Sequence, residues 1–219
     1  MTKIKLCGLK RSEDIHAAVA LRPDYVGFVF AGGKRCVSAR EAQALRTLLP
    51  THCRAVGVFV NEPLDSLLQT VHLAQLDVLQ LHGAEDEPYI QAARRALADA
   101  PIQLWKAVRV QSAKDVRQAA TLSVDALLLD ACIPGEMGGS GVCFDWSLLE
   151  GLDKAWMRQH CFLAGGLTPS NVAEAIERVH PLGVDVSSGI ETKGCKDPAK
   201  MRAFVEAVRR ADQRRHHEA

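Results

Sequence analysis

The chain has 219 residues with a formal charge of +1, and 47% of its residues are hydrophobic and 24% charged. This length suits one or two domains, and a hydrophobic fraction of this size buries a core, which excludes a disordered chain. The near-neutral charge argues against a nucleic-acid-binding surface, and no apolar run approaches the roughly 18 residues of a membrane span.

The chain start and the cysteines indicate the compartment. The first residues, MTKIKLCGLKRSED, contain no apolar segment typical of a secretory signal, so we expect a cytoplasmic protein. Its seven cysteines include no CxxC pair, which removes the usual signature of zinc ribbons and thioredoxin-type redox sites. We therefore expect reduced thiols, most of them packed as small buried hydrophobic residues.

Eight short apolar runs predict β-strands that are buried on both faces, as in a parallel sheet. They lie at 3–7, 24–30, 54–60, 77–82, 102–108, 125–130, 161–166 and 183–188. Amphipathic segments between them predict helices, because apolar residues recur at i, i+3, i+4 and i+7. This spacing is formed by Leu64, Leu67, Leu68 and Val71, by Val172, Ala175, Ile176 and Val179, and by Met201, Phe204, Val205 and Val208.

Helix starts are predicted where a capping side chain precedes proline or lies three residues before an acidic residue. These positions are Ser38 with Glu41, Ser112 with Asp115, Thr168 before Pro169, and Asp197 before Pro198.

Eight strand-then-helix units without a break in composition predict a single-domain (β/α)₈ barrel over residues 1–219. A doubly wound open sheet is the alternative. It usually carries a G-x-G-x-x-G fingerprint after its first strand, whereas residues 7–10 read CGLK.

A long glycine-rich segment, ACIPGEMGGSGVCFDW at 131–146, follows the sixth strand. In a barrel such a loop lies at the catalytic face, and long loops often act as lids. The glycines at 138–141 fit a lid hinge better than a phosphate cradle, because no Walker Lys-Ser/Thr pair follows. Phe144 and Trp146 are expected to anchor the end of this loop in the core, and the tail RRADQRRHHEA is expected to be a solvated helix end.

Two strand ends carry groups suited to acid–base chemistry. Cys7 ends the first strand and Asp130 ends the sixth, so both belong to the same barrel mouth. A thiolate and a carboxylic acid there are able to move protons on opposite sides of a small substrate. The thiolate would need cationic or dipolar neighbours that bring the pKa of Cys7 below about 8.5. The alternatives are a packed thiol and a carboxylate that caps a helix or forms a loop salt bridge.

The ends of the seventh and eighth strands predict a phosphate site. Gly165 and Gly166 precede a predicted helix, and Ser188 and Gly189 close the eighth strand. Loops after these two strands commonly bind phosphate through backbone N–H groups, and glycine allows close approach. Ordinary tight turns are the alternative.

Three further polar residues lie near the same mouth. Arg35, in the loop after the second strand, is suited to bind a substrate carboxylate, with a surface salt bridge as the alternative. Gln80 and His82 end the fourth strand. His82 is expected to form hydrogen bonds rather than to bind a metal, because no second ligand has metal spacing beside it.

The strand-end residues together resemble a known family. Their order is KIKLCGLKRSED, VGFVF with KRCVS, VGVFVNE, LQLHG, LLLD, GGSGVCFDW, LAGGLTPSNV and VDVSSGIE with KD. This set, from residue 3 to residue 197, closely resembles the phosphoribosylanthranilate isomerases, the TrpF-type enzymes of tryptophan biosynthesis. One departure follows GGSG, where Val142-Cys143 stands in place of the polar residue and threonine common in the family.

The resemblance implies a cofactor-free and metal-free Amadori rearrangement of N-(5′-phosphoribosyl)anthranilate. By similarity, Cys7 is the general base at C2′ and Asp130 is the general acid at the furanose ring oxygen. Arg35 would hold the anthranilate carboxylate, and Gln80 and His82 would contact the substrate. The phosphate would lie on Gly165, Gly166, Ser188 and Gly189.

Two other functions stay open. Histidine-pathway phosphoribosyl isomerases, or dual-substrate versions of them, use an Asp at the end of the first strand, so Cys7 argues against them. A non-catalytic phosphate-binding barrel would lack the pair formed by Cys7 and Asp130. In each case the expected partner is a small phosphorylated molecule, with no nucleic acid or membrane, and the chain is expected to be a monomer or a homodimer.

Overall fold

The strands pair in chain order and close on themselves, so that the first strand is hydrogen-bonded to both the second and the eighth. The computed structural model describes residues 1–131 and 146–217. The parallel barrel consists of β1 (Lys3–Cys7), β2 (Tyr25–Val29), β3 (Arg54–Phe59), β4 (Val78–Leu81), β5 (Gln103–Val110), β6 (Ala126–Ala131), β7 (Cys161–Leu163) and β8 (Gly183–Val186). This confirms the predicted (β/α)₈ architecture and excludes the open sheet.

Helices surround the barrel. They are α1 (Ser12–Val19), α2 (Ala39–Arg46), α3 (Leu64–Leu73), α4 (Glu87–Ala96), α5 (Ala113–Ala119), α6 (Lys154–His160), α7 (Val172–Val179) and α8 (Pro198–His217). The predicted apolar stripes of α3, α7 and α8 all pack against the core. A short antiparallel hairpin of β9 (Glu191–Thr192) and β10 (Cys195–Lys196) lies between β8 and α8.

Side chains alternate between the barrel interior and the surrounding helices, as the strand period of two requires. The interior apolar cluster consists of Tyr25, Val56, Val78, Trp105, Ala107, Ala126, Leu128, Phe162 and Ala164. Trp105 stacks on Phe162 at 4.4 Å between ring centroids, and Tyr25 meets Trp105 edge-on at 4.9 Å. These rings fill the interior, so a substrate site has to lie towards the carboxyl ends of the strands.

Three of the four predicted helix starts are confirmed. The Glu41 carboxylate accepts from the Ser38 N–H at 2.7 Å, the Asp115 carboxylate accepts from the Ser112 N–H at 2.7 Å, and Pro198 begins α8. The start at Thr168 is wrong, because α7 begins at Val172 with Asn171 as its N-cap. Residues 168–171 instead form a turn in which Asn171 Oδ1 accepts from the Thr168 N–H at 2.8 Å.

One other expectation needs correction. The chain end is not uniformly solvated, because Asp212 is buried and accepts hydrogen bonds from the N–H and hydroxyl of Thr2 at 2.8 and 2.6 Å. Most of the described cysteines are buried as expected, namely Cys7, Cys53 and Cys161, whereas Cys36 and Cys195 are exposed. In the described part of the chain, no helix is long and apolar enough to cross a membrane.

The loop after β6 lies largely outside the described residues. The predicted hinge at 138–141, the Val142-Cys143 departure and the predicted anchor Phe144 fall in this part. Trp146 is described, and it is buried at the start of a 3₁₀ turn, Trp146–Leu149, as its predicted anchoring role requires.

Candidate active site

Cys7 lies at the carboxyl end of β1 on an interior-facing position. It pairs in register with Gly27 of β2, and a Cβ added to Gly27 would come within 2.8 Å of the Cys7 Sγ. Glycine therefore makes room for the thiol against the bare backbone of β2. Burial raises the pKa of Cys7, and the charges of Lys5 and Lys196 counteract this only in part. The two lysines are the cationic neighbours predicted for a basic thiol, and burial of Cys7 outweighs their effect on its pKa.

A buried ion pair lies in the barrel next to this thiol. Lys5 Nζ is 3.0 Å from Asp185 Oδ1, with the Lys5 side chain fully buried and that of Asp185 9% exposed. Lys5 and Asp185 are register partners on β1 and β8. The contact therefore joins the two strands that lead to Cys7 and to the end of β8.

Arg35 is bound to a carboxylate that the sequence patterns did not single out. Its Nε and Nη2 donate to the two oxygens of Glu191 at 2.7 and 3.0 Å, and Lys196 Nζ donates to Glu191 at 2.9 Å. Burial alone would raise the pKa of Glu191, but these hydrogen bonds outweigh it and lower that pKa to about 2. Burial lowers the pKa of Lys196, against the opposing effect of Glu191.

Gly8 brings this charged group close to Cys7. Gly8 has a φ of 74°, and a Cβ there would come within 2.6 Å of the Arg35 Cδ and 3.2 Å of the Ser187 Oγ. The Ser187 hydroxyl donates to the Cys7 carbonyl at 3.3 Å. Arg35 thus crosses over the end of β1, beside the thiol.

Asp130 lies on the other side of the mouth. The barrel order separates β6 from β1 by two strands on one side and by four on the other. Gln80 Nε2 donates to His82 Nδ1 at 2.9 Å, so the remaining ring N–H is on Nε2 and donates to Asp130 Oδ2 at 3.1 Å. The predicted residues Gln80, His82 and Asp130 therefore form one hydrogen-bonded chain.

Gln80 leaves one polar atom unsatisfied. Its Oε1 is buried and accepts no hydrogen bond from the described residues. Native proteins rarely leave a buried acceptor unpaired, so a water or a ligand hydroxyl is the expected partner.

The loops after β7 and β8 lie in direct contact. Gly165 and Gly166 have φ of 75° and 63°, in the left-handed region that favours glycine. A Cβ on Gly189 would overlap the Leu167 carbonyl oxygen, so only glycine allows this approach. Ser188 begins a 3₁₀ turn, Ser188–Ile190. Asn171 Nδ2 donates to the Gly166 carbonyl at 3.0 Å, which holds the first loop against the start of α7.

The sequence patterns alone did not identify several charged residues at this mouth, namely Lys5, Arg109, Asp185, Glu191 and Lys196. Three of them have a signal in the sequence. Lys5, Arg109 and Asp185 each lie on an interior position of an otherwise apolar strand, where alternation aligns them with the predicted site residues. Among the described residues, no group of three or more His, Cys, Asp or Glu side chains is arranged to hold a metal ion.

Comparisons with known proteins give a consistent result. A family model for N-(5'phosphoribosyl)anthranilate (PRA) isomerase matches residues 4–207. The N-(5'-phosphoribosyl)anthranilate isomerase of Thermoanaerobacter sp. (strain X514) is 43% identical over 209 residues, which are 95% of this chain and 98% of that protein. The corresponding protein of Acetivibrio thermocellus is 43% identical over 215 residues, covering 97% and 98% of the two chains.

Solved structures agree in fold. Phosphoribosyl anthranilate isomerase from Thermotoga maritima superposes with a TM-score of 0.81 at 35% identity, covering 95% of this chain and 99% of that one. A phosphoribosyl anthranilate isomerase in complex with reduced 1-(o-carboxyphenylamino)-1-deoxyribulose 5-phosphate gives a TM-score of 0.79 at 33% identity, with the same coverage.

Proposed function

Because this chain belongs to the N-(5'-phosphoribosyl)anthranilate isomerase family, we propose that it catalyses the Amadori rearrangement of N-(5′-phosphoribosyl)anthranilate. The product is 1-(2-carboxyphenylamino)-1-deoxyribulose 5-phosphate, an intermediate of tryptophan biosynthesis. One observation carries the catalytic roles. A thiol and a carboxyl group, Cys7 and Asp130, end strands on opposite sides of the same barrel mouth, both on interior-facing positions.

Ring opening is the step assigned to Asp130. Its carboxylic acid gives a proton to the furanose ring oxygen, the C1′–O bond breaks, and an iminium forms with the anthranilate nitrogen. The Asp130 side chain is 32% exposed and has a hydrogen bond from His82. This partial exposure lets the carboxylate regain a proton from solvent after each turnover.

Proton removal from C2′ is the step assigned to Cys7. The iminium makes this hydrogen acidic, and the thiolate accepts it. The resulting enamine tautomerises to the ketose, so the reaction only moves protons. No cofactor or metal is needed for this scheme.

Arg35 is proposed to bind the anthranilate carboxylate. Two of its five N–H groups are used on Glu191. The others remain for a second carboxylate, and Glu191 fixes the plane of the guanidinium before substrate arrives. On the other side, Gln80 Oε1 is suited to accept a hydrogen bond from a substrate hydroxyl, and His82 lies beside it.

The phosphate is proposed to bind between the loops after β7 and β8. The backbone N–H groups of two loops would bind it, and these loops lie close together because Gly189 packs on Leu167. The residues concerned are Gly165, Gly166, Ser188 and Gly189. Binding the non-reacting phosphate positions the sugar between Cys7 and Asp130. The analogue bound by a relative carries a 5-phosphate, which supports a phosphorylated substrate here.

We further propose that residues 1–219 work as a single barrel domain in the cytoplasm, as a monomer or a homodimer, without nucleic acid or membrane. The formal charge of +1 supports the absence of a polyanionic partner. Light scattering of the purified chain, with and without duplex DNA, tests this proposal. A stable complex with DNA would contradict it.

The decisive experiment is turnover of freshly prepared phosphoribosylanthranilate, followed by the loss of its fluorescence. The histidine-pathway aminoaldose is run in parallel. We expect turnover of the first substrate, and loss of that turnover in Cys7→Ser. If only the histidine-pathway substrate reacts, the proposed substrate is wrong. If Cys7→Ser keeps full kcat, the role of Cys7 is wrong.

A further inference from the structure

Lys5 and Asp185 form a buried ion pair that the fold alone does not explain. The two charges are 3.0 Å apart inside the barrel, and β1 and β8 are already joined by backbone pairing over four residues. Burying such a pair costs several kcal/mol of desolvation per ion, and apolar residues of similar size often serve stability equally well. We therefore expect this ion pair to have a function in the candidate active site at the carboxyl ends of β1 and β8.

The ammonium of Lys5 acts on two groups. Lys5 and Cys7 are two residues apart on the same face of β1. The Lys5 ammonium, which donates to Asp185 at 3.0 Å, lies close enough to the thiol for the two groups to interact electrostatically. Burial alone would lower the pKa of Lys5, but Asp185 and Cys7 outweigh burial and raise it. Asp185 and the thiol therefore both favour the charged form of Lys5.

The charges that face Cys7 come from four elements. They are Lys5 on β1, Asp185 on β8, Lys196 on β10, and Arg35 in the segment after β2, with Glu191 of β9 bound to the last two. These three cations accompany the two carboxylates, and the exposed Lys34 adds a fourth positive charge 3.8 Å from Glu191. Positive charge is therefore left in this group to balance a thiolate. Arg35 and Lys196 share Glu191, whereas Lys5 approaches from within the barrel.

We propose that Lys5 is a positioning residue that stabilises the Cys7 thiolate from inside the barrel, with Asp185 keeping the ammonium charged and in place. The proposal rests on the role of Cys7 as the base. Lys5 keeps its proton throughout, and the C2′ hydrogen moves to sulfur alone. Without Lys5, the buried thiol would spend a much smaller fraction of its time as the nucleophilic and basic anion.

The test measures the thiolate directly. The rate of alkylation of Cys7 by iodoacetamide is followed against pH by mass spectrometry of its own peptide, since only the thiolate reacts. In Lys5→Met the midpoint moves to higher pH, and alkylation near neutral pH falls about tenfold, because the thiolate fraction there is smaller by that factor. The double variant Lys5→Met/Asp185→Asn leaves no unpaired buried charge, so it is less prone to unfold. It also removes the Asp185 carboxylate, which by itself raises the pKa of Cys7, so its alkylation midpoint should rise less than that of Lys5→Met but in the same direction.

A matched control lies on the same strand. Lys3 pairs with Asp24 at the opposite end of β1, where its side chain is 47% exposed, so Lys3→Met leaves the Cys7 midpoint unchanged. In the Lys5 variants the rise of kcat/KM with pH moves by the same amount as the alkylation midpoint, so activity recovers at high pH. A purely structural role would lower kcat/KM at every pH.

Two results would overturn the proposal. One is an unchanged alkylation midpoint in a folded double variant, and the other is a loss of activity that high pH does not restore. A wrong assignment of Cys7 as the base gives a different result. In that case Cys7→Ser would keep its turnover, while the alkylation midpoint of Cys7 would still rise in Lys5→Met.

Discussion

The two halves of the barrel mouth are built differently. The half formed by β7, β8, β1 and β2, here the thiol half, holds Cys7 together with two buried ion-pair groups centred on Asp185 and Glu191. The half formed by β3 to β6, here the carboxyl half, also has a buried ion pair, between Lys106 and Glu85, which holds the segment after β4. Asp130 itself has one described polar contact there, from His82, and Arg109 is exposed. A buried anion needs fixed cations, whereas an acid that regains its proton from water needs access to solvent. We therefore expect catalysis to depend on many residues in the thiol half and on few in the carboxyl half.

The largest effect is expected from Asp130, the proposed general acid. Asp130→Asn cannot protonate the ring oxygen, so kcat should fall at least about 10²-fold, the scale of general acid–base catalysis. Binding of a reduced product analogue should stay nearly unchanged, because the amide keeps the shape of the carboxyl group. Steady-state kinetics and calorimetry measure the two quantities.

Asp125→Asn is the control for this variant. Asp125 precedes the same strand at its other end, where it accepts from the Leu104 N–H at 2.7 Å. It should keep kcat within about twofold, since it is remote from the reacting atoms. A comparable loss of kcat in both variants would show that Asp130 acts through stability rather than through proton transfer.

The next effect concerns the loops after β7 and β8, the proposed phosphate site, which belong to the thiol half. In Gly189→Ala the new Cβ would overlap the Leu167 carbonyl oxygen, so the loops after β7 and β8 must separate. We expect KM to rise about 30-fold, or roughly 2 kcal/mol of lost phosphate binding. Gly32→Ala is the control, because a Cβ there meets nothing within 4 Å. If KM is unchanged in Gly189→Ala, the phosphate binds elsewhere.

Much of this architecture could be predicted from the sequence. Each buried parallel strand is a short apolar run, which can be recognised without knowing which strand it pairs with. Cys7, Asp130 and His82 could be predicted as candidate site residues because the ends of the apolar runs can be located in the sequence. The start of α7 was misplaced because Thr168-Pro169 has the composition of a helix start, whereas Asn171 takes the cap through contacts within a turn.

The ion pairs that surround Cys7 in the thiol half could not be predicted in the same way. Arg35 and Glu191 are 156 positions apart, and Lys5 and Asp185 are 180 apart. From the sequence alone, the lysine at position 5 in KIKLC could equally lie on an exposed strand edge. Its buried position follows only from the closed barrel, in which β8 lies beside β1. Alternation identifies which face such a charge occupies, but only the closed fold supplies its counter-ion.

A smaller effect is expected from Glu191→Gln, which removes the shared counter-ion of Arg35 and Lys196. The pKa of Glu191 is lowered from 4.5 to about 2, so its ion pairs stabilise the fold fully above pH 4.5 and lose this effect as the pH falls towards 2. We expect about 2 kcal/mol lower stability at neutral pH, a difference that shrinks in this acidic window, and about tenfold lower kcat/KM. Urea unfolding at several pH values measures the stability difference.

Glu177→Gln is the control for Glu191→Gln, because it removes an ion pair at the protein surface. Its ion pair with Arg214 is 3.2 Å long, with side chains 45% and 60% exposed, so its removal should cost less than about 1 kcal/mol at any pH. Equal losses in the two variants, or a Glu191 effect that grows towards low pH, would contradict the assigned role of the buried pair.

The smallest effect is expected in the carboxyl half, from His82→Gln. The glutamine amide still offers an N–H towards Asp130, and the partly exposed carboxyl group can exchange protons with water, so kcat should fall no more than about fivefold. The pH dependence of kcat should keep its shape, because the imidazole is not assigned a proton-transfer step. A loss of about 10²-fold or more, with a changed pH profile, would mean that the imidazole itself delivers the proton to Asp130. The two halves would then depend equally on the neighbours of their reacting groups.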